Sequence, residues 1–437
     1  MVKKIAMFCV LALSPVLMYS QQTDTLSSGE FEFTLEQCLQ YAFDNSYSRK
    51  VNLLNEESSE AVYQQSRNNR YPSVNASANE TMSHTGTASD VNFSGNVGVN
   101  ASVTLYQGGN IKNTIKQNRL QAEETKIRSA QYDDNLKIEI LNEYLTALSC
   151  MERQKYQLGI LESSKQQLER GKRMFDLGAM VESDYLMLEA QYENDKTDSL
   201  NTVISLENSL LNLKKYLSMS ADAKLTIVEP DTALIYQMAL LPSEQEVVSA
   251  AKQHMPDMQL ALSAIETADI AMEISKAGRR PTISASAGIS TGHNNFDDFS
   301  LQLKDRLSQQ IGVSVSYPIW DRGSAKLQIK KAEIQQKQAE LDLKQTELEV
   351  TRTVVNQYRA TALEYQKYLA YQKRKDAYAA SFEVYKKKFN VGSIIAVDLL
   401  ERQNNYISVL NDYINAKYGF MLKRKILDVY TGESAGM

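Results

Sequence analysis

Two stretches of this chain alternate strictly between apolar and small polar residues, one in each half. The apolar residues recur at every second position from Val97 to Leu105 and again from Ile311 to Ile319, and a shorter alternating stretch precedes each of them. Alternation with a period of two is typical of a β-strand with one apolar and one polar face. The sequence therefore predicts two β-hairpins.

The polar faces of these strands hold serine, threonine, asparagine and glycine, without a charged residue. At ~3.3 Å per residue, about twelve residues reach ~40 Å, which suits a strand tilted across a bilayer with its polar face on a water-filled lumen. A soluble antiparallel sheet with one face exposed to water shows the same alternation. Four strands cannot close a barrel, and open edges cannot lie in lipid, so membrane-spanning strands would require several chains to share one barrel.

A long helical pattern without proline follows each predicted hairpin, over residues 110–176 and 323–390. At 1.5 Å per residue each helix would reach ~100 Å, so it must pair along its length. A second helix is predicted shortly after each of them. Each half should therefore end in a helical hairpin, with its tip at Gly178 or Gly392.

The second long helix carries a heptad repeat, which predicts packing in a left-handed sense. Its apolar positions are Leu327, Ile334, Leu341, Leu348, Val355, Ala362 and Leu369. The first long helix keeps this spacing at Leu120, Ile127, Leu141 and Leu148 and departs from it at Asp134.

The two halves share one plan, because the motif Phe175–Gly178 returns as Phe389–Gly392 and the proline before the first hairpin returns at Pro281. A period of about 210 residues is far longer than a solenoid unit, so the chain is predicted to be a duplicated domain. The divisions predicted on this basis are a polar leader (21–33), a first repeat (34–219), a linker (220–241), a second repeat (242–432) and a tail (433–437).

The first repeat should open with a helix that starts at the capping box of Thr34 and Gln37 and runs to about Arg70. Pro72 ends this helical pattern. A short strand at residues 225–228 is the one element that the linker pattern indicates.

The N-terminus has the pattern of a secretory signal peptide over residues 1–20. Lys3 and Lys4 precede an apolar stretch, and Ser20 offers a small residue for cleavage. The formal charge of −5 becomes more negative when these lysines are removed, which argues against nucleic acid as a partner.

The residue pattern indicates neither catalysis nor a cofactor or metal site. The three histidines have no nucleophile or second ligand at a useful spacing and are interpreted as surface or packing residues. Cys38 and Cys150 fit no metal motif or disulfide framework and are interpreted as buried small apolar residues.

Acidic residues follow both predicted tips at matching positions. Asp184 comes six residues after Gly178, and Asp398 comes six residues after Gly392 and is followed by Glu401. In a single chain these are ordinary carboxylates in the first turns of a helix, where the helix dipole favours them. In a symmetric oligomer they would form rings around an axis, and such rings attract cations.

The order of these elements, given twice, resembles that of the TolC-like outer membrane efflux proteins, over about residues 34–432. It consists of a capped helix, a proline-led hairpin, a glycine turn, a very long helix, an aromatic-x-x-Gly tip and an acidic residue beyond it. The resemblance implies a mainly α-helical homotrimer. Its three chains of four strands would form one twelve-stranded outer membrane β-barrel in contact with lipid, and twelve coiled-coil helices would continue it as a periplasmic α-barrel.

The resemblance also implies roles for residues at the tips. Asp398 and Glu401 match the acidic rings of the constricted periplasmic entrance, and Asp184 matches the acid at the first tip. Where the best-known member has a tyrosine and an arginine that hold the tips shut, this chain has Phe389 and Ile394. A closed state here would be held by apolar contacts or by other pairs.

The leading functional hypothesis is a passive exit duct of a tripartite efflux or type I secretion system in the bacterial outer membrane. Such a duct would work with a periplasmic adaptor protein and an inner-membrane transporter, and its substrate is not specified by the sequence. A soluble periplasmic helical-hairpin scaffold or adaptor is the alternative hypothesis. A secreted hydrolase is supported by the signal peptide alone.

Overall fold

The computed structural model describes residues 30–84, 91–230, 238, 240–294 and 306–433, so the predicted signal peptide lies outside the described residues. The main helices are α1 (Leu35–Asn45), α2 (Tyr47–Asn68), α3 (Asn110–Asp176), α4 (Glu182–Leu217), α5 (Glu244–His254), α6 (Pro256–Ala277), α7 (Ser324–Asn390) and α8 (Ala396–Thr431). The strands are β1 (Glu30–Phe33), β2 (Ser73–His84), β3 (Val91–Gln107), β4 (Lys224–Ile227), β5 (Thr282–Asn294) and β6 (Ser308–Ser316).

The two predicted hairpins form one antiparallel sheet of four strands in the order β2-β3-β5-β6. The register places apolar residues beside apolar residues, as in the row of Ala76, Val99 and Ile289, and polar residues beside polar residues, as in the pair of Asn75 and Asn100. Over most of the sheet one face is therefore apolar and the other polar, as predicted, and the exceptions on the apolar face include Glu80 and His293, towards the end of the sheet that is farthest from the helices. Within the described part of the chain, the outer edges of β2 and β6 have no partner strand.

The helices form a layer four helices wide. Near the sheet, the order of contacting helices is α2-α3-α6-α7, and towards the tips it is α4-α3-α8-α7. Both long helices, α3 and α7, contain 67 residues and fold back into α4 and α8, which confirms the predicted hairpins. One side of the layer thus ends in α2 and α4, and the other side ends in α7.

The heptad residues have different environments in the two long helices. On the central helix α3, Leu141 and Leu148 are fully buried within the chain. On the edge helix α7, Ile334 is 48% exposed and Leu348 is 73% exposed. These heptad residues are buried on α3, which has helices on both sides. They are exposed on α7, which has a neighbouring helix of the same chain on one side only.

The capping box predicted at Thr34 is confirmed, because the Thr34 hydroxyl accepts from the backbone N–H of Gln37 and the Gln37 side chain accepts from that of Thr34. The prediction of one continuous helix to Arg70 was wrong. The chain leaves the helical conformation at Ser46 (φ −57°, ψ 119°), whose hydroxyl then caps α2 through the backbone N–H of Arg49.

The second half repeats this arrangement in a way that the sequence interpretation missed. Ser243 and Glu246 form a second capping box at the start of α5. Met255 lies outside the helix, and α6 then begins with Pro256, which needs no backbone N–H at this position.

The leader and the linker meet in a small parallel sheet. The predicted strand in the linker is confirmed as β4, which pairs with β1 from the last four residues of the presumed polar leader. Phe31 and Phe33 of β1 pack with Tyr41 of α1, and Tyr144 of α3 donates a hydrogen bond to the carbonyl oxygen of Val228 at 2.8 Å. Residues 30–33 therefore belong to the folded core, because their aromatic side chains gain burial there.

Cys38 and Cys150 are free and buried, as predicted, and burial raises the pKa of the Cys38 thiol to about 12. His293 lies within β5, and its Nε2 is 3.0 Å from the Glu80 carboxylate on β2. The two side chains meet across Gly95 of β3, where a Cβ atom would collide with both.

In the described part of the chain, no helix has a segment long and apolar enough to cross a membrane.

Candidate functional site

Both hairpin tips are closed by the same turn. The backbone N–H of Gly178 donates to the carbonyl oxygen of Phe175 at 2.8 Å, and the N–H of Gly392 donates to that of Phe389 at 3.0 Å. Both glycines have positive φ, at +71° and +74°, so each ends its long helix in a left-handed residue that favours glycine. The N–H of the next residue in each turn donates to the carbonyl oxygen one residue earlier in the long helix, from Ala179 to Met174 and from Ser393 to Lys388, which completes a Schellman motif.

The predicted acidic residues lie just beyond these turns. Asp184 is in the first turn of α4 and Asp398 is in the first turn of α8, and both are partly exposed. Glu401 lies one turn further along α8 and is exposed. Their carboxylates are therefore accessible to water and ions at the end of the helical layer that is farthest from the sheet.

Arg402 is a basic residue of this region that the sequence interpretation did not single out. One of its guanidinium nitrogens is 3.8 Å from the Glu401 carboxylate, and the group lies 5.1 Å from the ring centroid of Tyr385. A cation held this close to Glu401 offsets part of the local negative charge. The sequence carried a signal for it, since Arg402 directly follows Glu401.

The two predicted apolar tip residues lie in a cluster that joins the hairpins within one chain. Phe389 is fully buried and Ile394 packs against the cluster. The second hairpin also contributes Phe382 and Leu399, and Leu188 enters from the first hairpin. Phe389 and Ile394 thus make apolar contacts at the positions where the resemblance implies a replacement for the polar contacts of the best-known member.

The duplicated phenylalanines at the tips have different roles. We expect Phe389→Ala to lower the free energy of unfolding by about 3–5 kcal/mol, because it leaves a cavity in this cluster. The matched control is Phe175→Ala, because Phe175 is 38% exposed and stacks on Tyr185, so its loss should cost about 1 kcal/mol. Denaturant unfolding of both variants in detergent checks this, and equal losses would contradict the assignment.

The sheet has the two surfaces that a strand layer needs between lipid and water. On its polar face, none of the paired residues in the described strands is charged, and hydroxyl groups such as those of Ser73 and Ser102 lie 3.1 Å apart. On its apolar face, Val97, Ile311 and Val313 are more than half exposed in the single chain.

Large aromatic side chains are exposed at the end of the sheet nearest the helices. They are Tyr71, Tyr106, Tyr317 and Trp320. Aromatic residues concentrate at the boundary between membrane and water, where an apolar ring with a polar atom is favoured. This position marks the lower boundary of the apolar band on the sheet.

Comparison with known proteins identifies the chain. The sequence profile described as "Outer membrane efflux protein" matches residues 40–218 and 247–433, which is most of the sequence. The chain belongs to the outer membrane efflux protein family. The outer membrane protein TolC of Vibrio cholerae serotype O1 is 20% identical to this efflux protein over 407 residues, which cover 93% of this chain and 92% of TolC.

Solved structures of outer membrane channels have the same fold. CusC superposes with a TM-score of 0.81 at 17% identity, with 92% of each chain covered. The CmeC outer membrane channel of Campylobacter jejuni superposes with a TM-score of 0.79 at 16% identity, with 91% of this chain and 85% of that chain covered. The predicted fold class is confirmed, and the efflux protein is located in the bacterial outer membrane, with its helices extending into the periplasm.

Two buried polar contacts in the efflux protein join the two helical hairpins, and the sequence interpretation missed both. In the upper contact, Lys417 Nζ of α8 lies 2.6 Å from Glu152 Oε2 of α3, with both side chains almost fully buried. Arg153 donates to the Asn415 side chain at 3.0 Å beside this pair. The partners are more than 260 residues apart in the sequence, so no local pattern could reveal them.

The lower contact surrounds Asp195 of α4, whose exposure is 1%. Its carboxylate accepts from Ser164 of α3, from Gln191 at 2.9 Å and from Gln403 Nε2 of α8 at 2.7 Å. Gln167 of α3 donates to Gln403 Oε1 at 3.1 Å. Burial raises the pKa of Asp195, against the lowering effect of these hydrogen bonds.

Proposed function

We propose that this protein is the passive exit duct of a tripartite efflux or secretion system and that it works as a homotrimer. The observation that carries the proposal is that, over the residues that the structure describes, the chain has two open sides, both of which continue from the sheet into the helices. The first side consists of β2, α2 and α4, and the second consists of β6 and α7. A wall segment that is open on both sides is completed by further copies of itself.

The exposed side chains support this assembly. On the first side, exposed apolar residues lie along both helices. Those of α2 are Val51, Leu53, Leu54 and Val62, and those of α4 are Leu186, Leu200, Ile204 and Leu211. On the second side, the heptad residues Leu327, Ile334, Leu341 and Leu348 of α7 are exposed. Packing the second side of one chain against the first side of the next would bury both stripes and pair β6 with β2.

Three copies would give twelve strands and a helical tunnel twelve helices wide, which is the assembly that the resemblance to TolC-like proteins implies. The uncharged polar face of the sheet would line the lumen and the apolar face would contact lipid. The chain would be a passive conduit without catalytic activity. The energy for export would come from an inner-membrane transporter that is coupled to the duct through a periplasmic adaptor. Substrate choice would belong to that transporter.

The oligomeric state tests this proposal. After membrane extraction, native mass spectrometry in detergent should give three times the mass of the mature chain, and the protein should not leave the membrane in a salt wash without detergent. A monomer that washes free would overturn the duct and support the soluble periplasmic scaffold.

We further propose that Asp184, Asp398 and Glu401 form acidic rings at the periplasmic entrance of the trimer. Replacement of both Asp398 and Glu401 by alanine should leave assembly intact and weaken cation preference and block by multivalent cations, because a ring of carboxylates attracts cations. Reversal potentials in a salt gradient and titration with a trivalent cation measure both effects. Unchanged selectivity would count against the rings, and Glu207→Ala, a change at an exposed acid elsewhere on α4, serves as the control.

A further inference from the structure

The two open sides of the helical layer carry opposite charge in the half that is nearest the tips. On α4, residues 182–200 contain six acidic residues and one lysine, and on α7, residues 370–388 contain six basic residues and two acidic ones. These two segments belong to the outermost helices in the layer order α4-α3-α8-α7. Opposite charge on the two sides of one chain favours contact between copies of that chain.

The exposed stripe of α7 changes its composition along the helix. Towards the sheet it holds the heptad leucines, whereas towards the tip it holds small residues and lysines. These are Ala370, Lys373, Ala377, Ala380, Val384 and Lys387. The exposed stripe of α4 holds the larger Leu186 and Leu200, together with the acids Glu182 and Asp198. Large side chains on one helix and small ones on the other allow the two helices to pack closely.

The two hairpins of one chain are level, so heights along both stripes can be compared. Gln167 of α3 lies eleven residues from the tip glycine of its hairpin, and its hydrogen-bond partner Gln403 of α8 lies eleven residues from the other tip glycine. The buried pair of Glu152 and Lys417 gives nearly the same result, at 26 and 25 residues. In a ring whose axis runs along the helices, equal distance from the tip glycine therefore means equal height in neighbouring chains.

This rule matches the apolar residues of the two stripes. Leu200 of α4 and Ala370 of α7 both lie 22 residues from the tip glycine of their own hairpin, which is ~33 Å of helix. Leu186 of α4 and Val384 of α7 both lie eight residues from it. A leucine of α4 thus meets a smaller side chain of α7 at both heights.

The charged residues match in the same register. Asp198 and Lys373 lie 20 and 19 residues from their tip glycines. Glu182 and Lys387 lie four and five residues from theirs. All four side chains are exposed in the single chain. When α7 of one chain lies beside α4 of the next, each acid is therefore level with a lysine to within one residue, and the opposite charges attract.

We propose that these matched residues form the contact between α4 of one chain and α7 of a second copy, and that their charges select the partner and fix its register. This inference rests on the proposed trimer, because it specifies which residues meet at the seam between its chains. The leucines of α4 pack over the small residues of α7, and the two acids pair with the two lysines. A shift by one heptad moves each acid ~10 Å away from its lysine.

Disulfide cross-linking between chains tests the register. The combination of Leu200→Cys with Ala370→Cys should give covalently linked trimers after oxidation, because the proposed contact brings the two Cβ atoms together. The offset control combines Leu200→Cys with Ala377→Cys, which lies on the same stripe ~10 Å from the matching height and should not cross-link. Cys38 and Cys150 are free and buried, so the unchanged protein should give no covalent trimer.

Exchange of the charges tests partner choice. Lys373→Glu with Lys387→Glu makes the α7 stripe acidic, and Asp198→Lys with Glu182→Lys makes the α4 stripe basic. The fourfold variant carries both changes and keeps the net charge of the wild type, so it matches other copies of itself and faces like charge at every seam with the wild type. Either twofold variant alone should give less trimer than the wild type.

The readout for the fourfold variant is coexpression with differently tagged wild type, followed by purification through both tags. Mixed trimers should be at least about tenfold rarer than in a coexpression of two differently tagged wild-type chains, because like charges that face each other at a seam are unfavourable. The two wild-type chains should mix at random.

The outcomes separate the register from the proposed trimer. If the wild type is a monomer in detergent, the trimeric duct and the seam both fall. If it is a trimer in which the aligned cysteines do not cross-link, or the offset cysteines cross-link equally well, the register is wrong and the duct stands. Free mixing of the fourfold variant with the wild type would overturn partner choice by charge. If the fourfold variant does not assemble, Lys373→Glu with Asp198→Lys tests one pair in the same way.

Discussion

Replacement of Leu341 and Leu348 by glutamate is expected to abolish the trimer. These side chains are 63% and 73% exposed in the single chain and lie on the open side of α7. In the proposed assembly they are buried against α2 of the next chain, and burying an unpaired charge costs several kcal/mol at each of the three interfaces. Size-exclusion chromatography with light scattering in detergent should show monomers.

The control adds a charge on the same helix without entering the stripe. Gln335 is exposed and lies about 100° around the helix from Ile334, so Gln335→Glu should leave the trimer intact. A trimer that survives the double leucine replacement would show that the heptad stripe is not an interface between chains.

The second large effect is expected at the buried ion pair of Glu152 and Lys417. Lys417→Met should lower the free energy of unfolding by about 3–5 kcal/mol per chain, because it leaves the Glu152 carboxylate buried without its counter-charge. Adding Glu152→Gln to this variant should recover much of the loss, because the unpaired charge is then removed. Denaturant unfolding in detergent measures both variants.

A surface ion pair provides the matched control for this change. Lys196 lies 3.0 Å from Glu193 on α4, and both side chains are more than half exposed. Lys196→Met should therefore change the free energy of unfolding very little. Equal effects of the two lysine replacements would mean that the Glu152–Lys417 pair is no stronger than a solvated pair.

Periodicity and the absence of proline were sufficient to predict the two β-hairpins and the two long helices of this chain. A period of two identified the hairpins, and long stretches without proline identified α3 and α7, because these patterns reflect one buried face along a regular element. The glycine turns at Gly178 and Gly392 could be predicted because a left-handed residue favours glycine. Because the chain is duplicated, each of these elements could be predicted separately in both halves, and the two predictions agreed.

Periodicity does not tell which neighbour covers a face. The heptads of α3 and α7 look alike, and their different burial depends on the position of each helix in the layer. For the same reason Phe175 and Phe389 occupy matching positions with different exposure. The break at Ser46 was missed because a single residue separates α1 from α2 and a helical pattern lies on both sides of it.

The candidate site was predictable only in part. The positions of Asp184, Asp398 and Glu401 just beyond the tips follow from the sequence, whereas their arrangement as rings remains a proposal. The contacts around Asp195 and Glu152 could not be predicted, because each joins residues more than 200 positions apart through side chains that look like ordinary helix residues.

Planar-bilayer conductance of the detergent-extracted protein tests the proposed duct most directly. Trivalent cations are added to each side of the membrane in turn, since the acidic residues lie at one end of the helical layer. We predict small, cation-selective steps that are blocked from one side only. A protein that inserts and gives no steps, or steps that are blocked equally from both sides, would contradict a duct with an acidic entrance at its periplasmic tips.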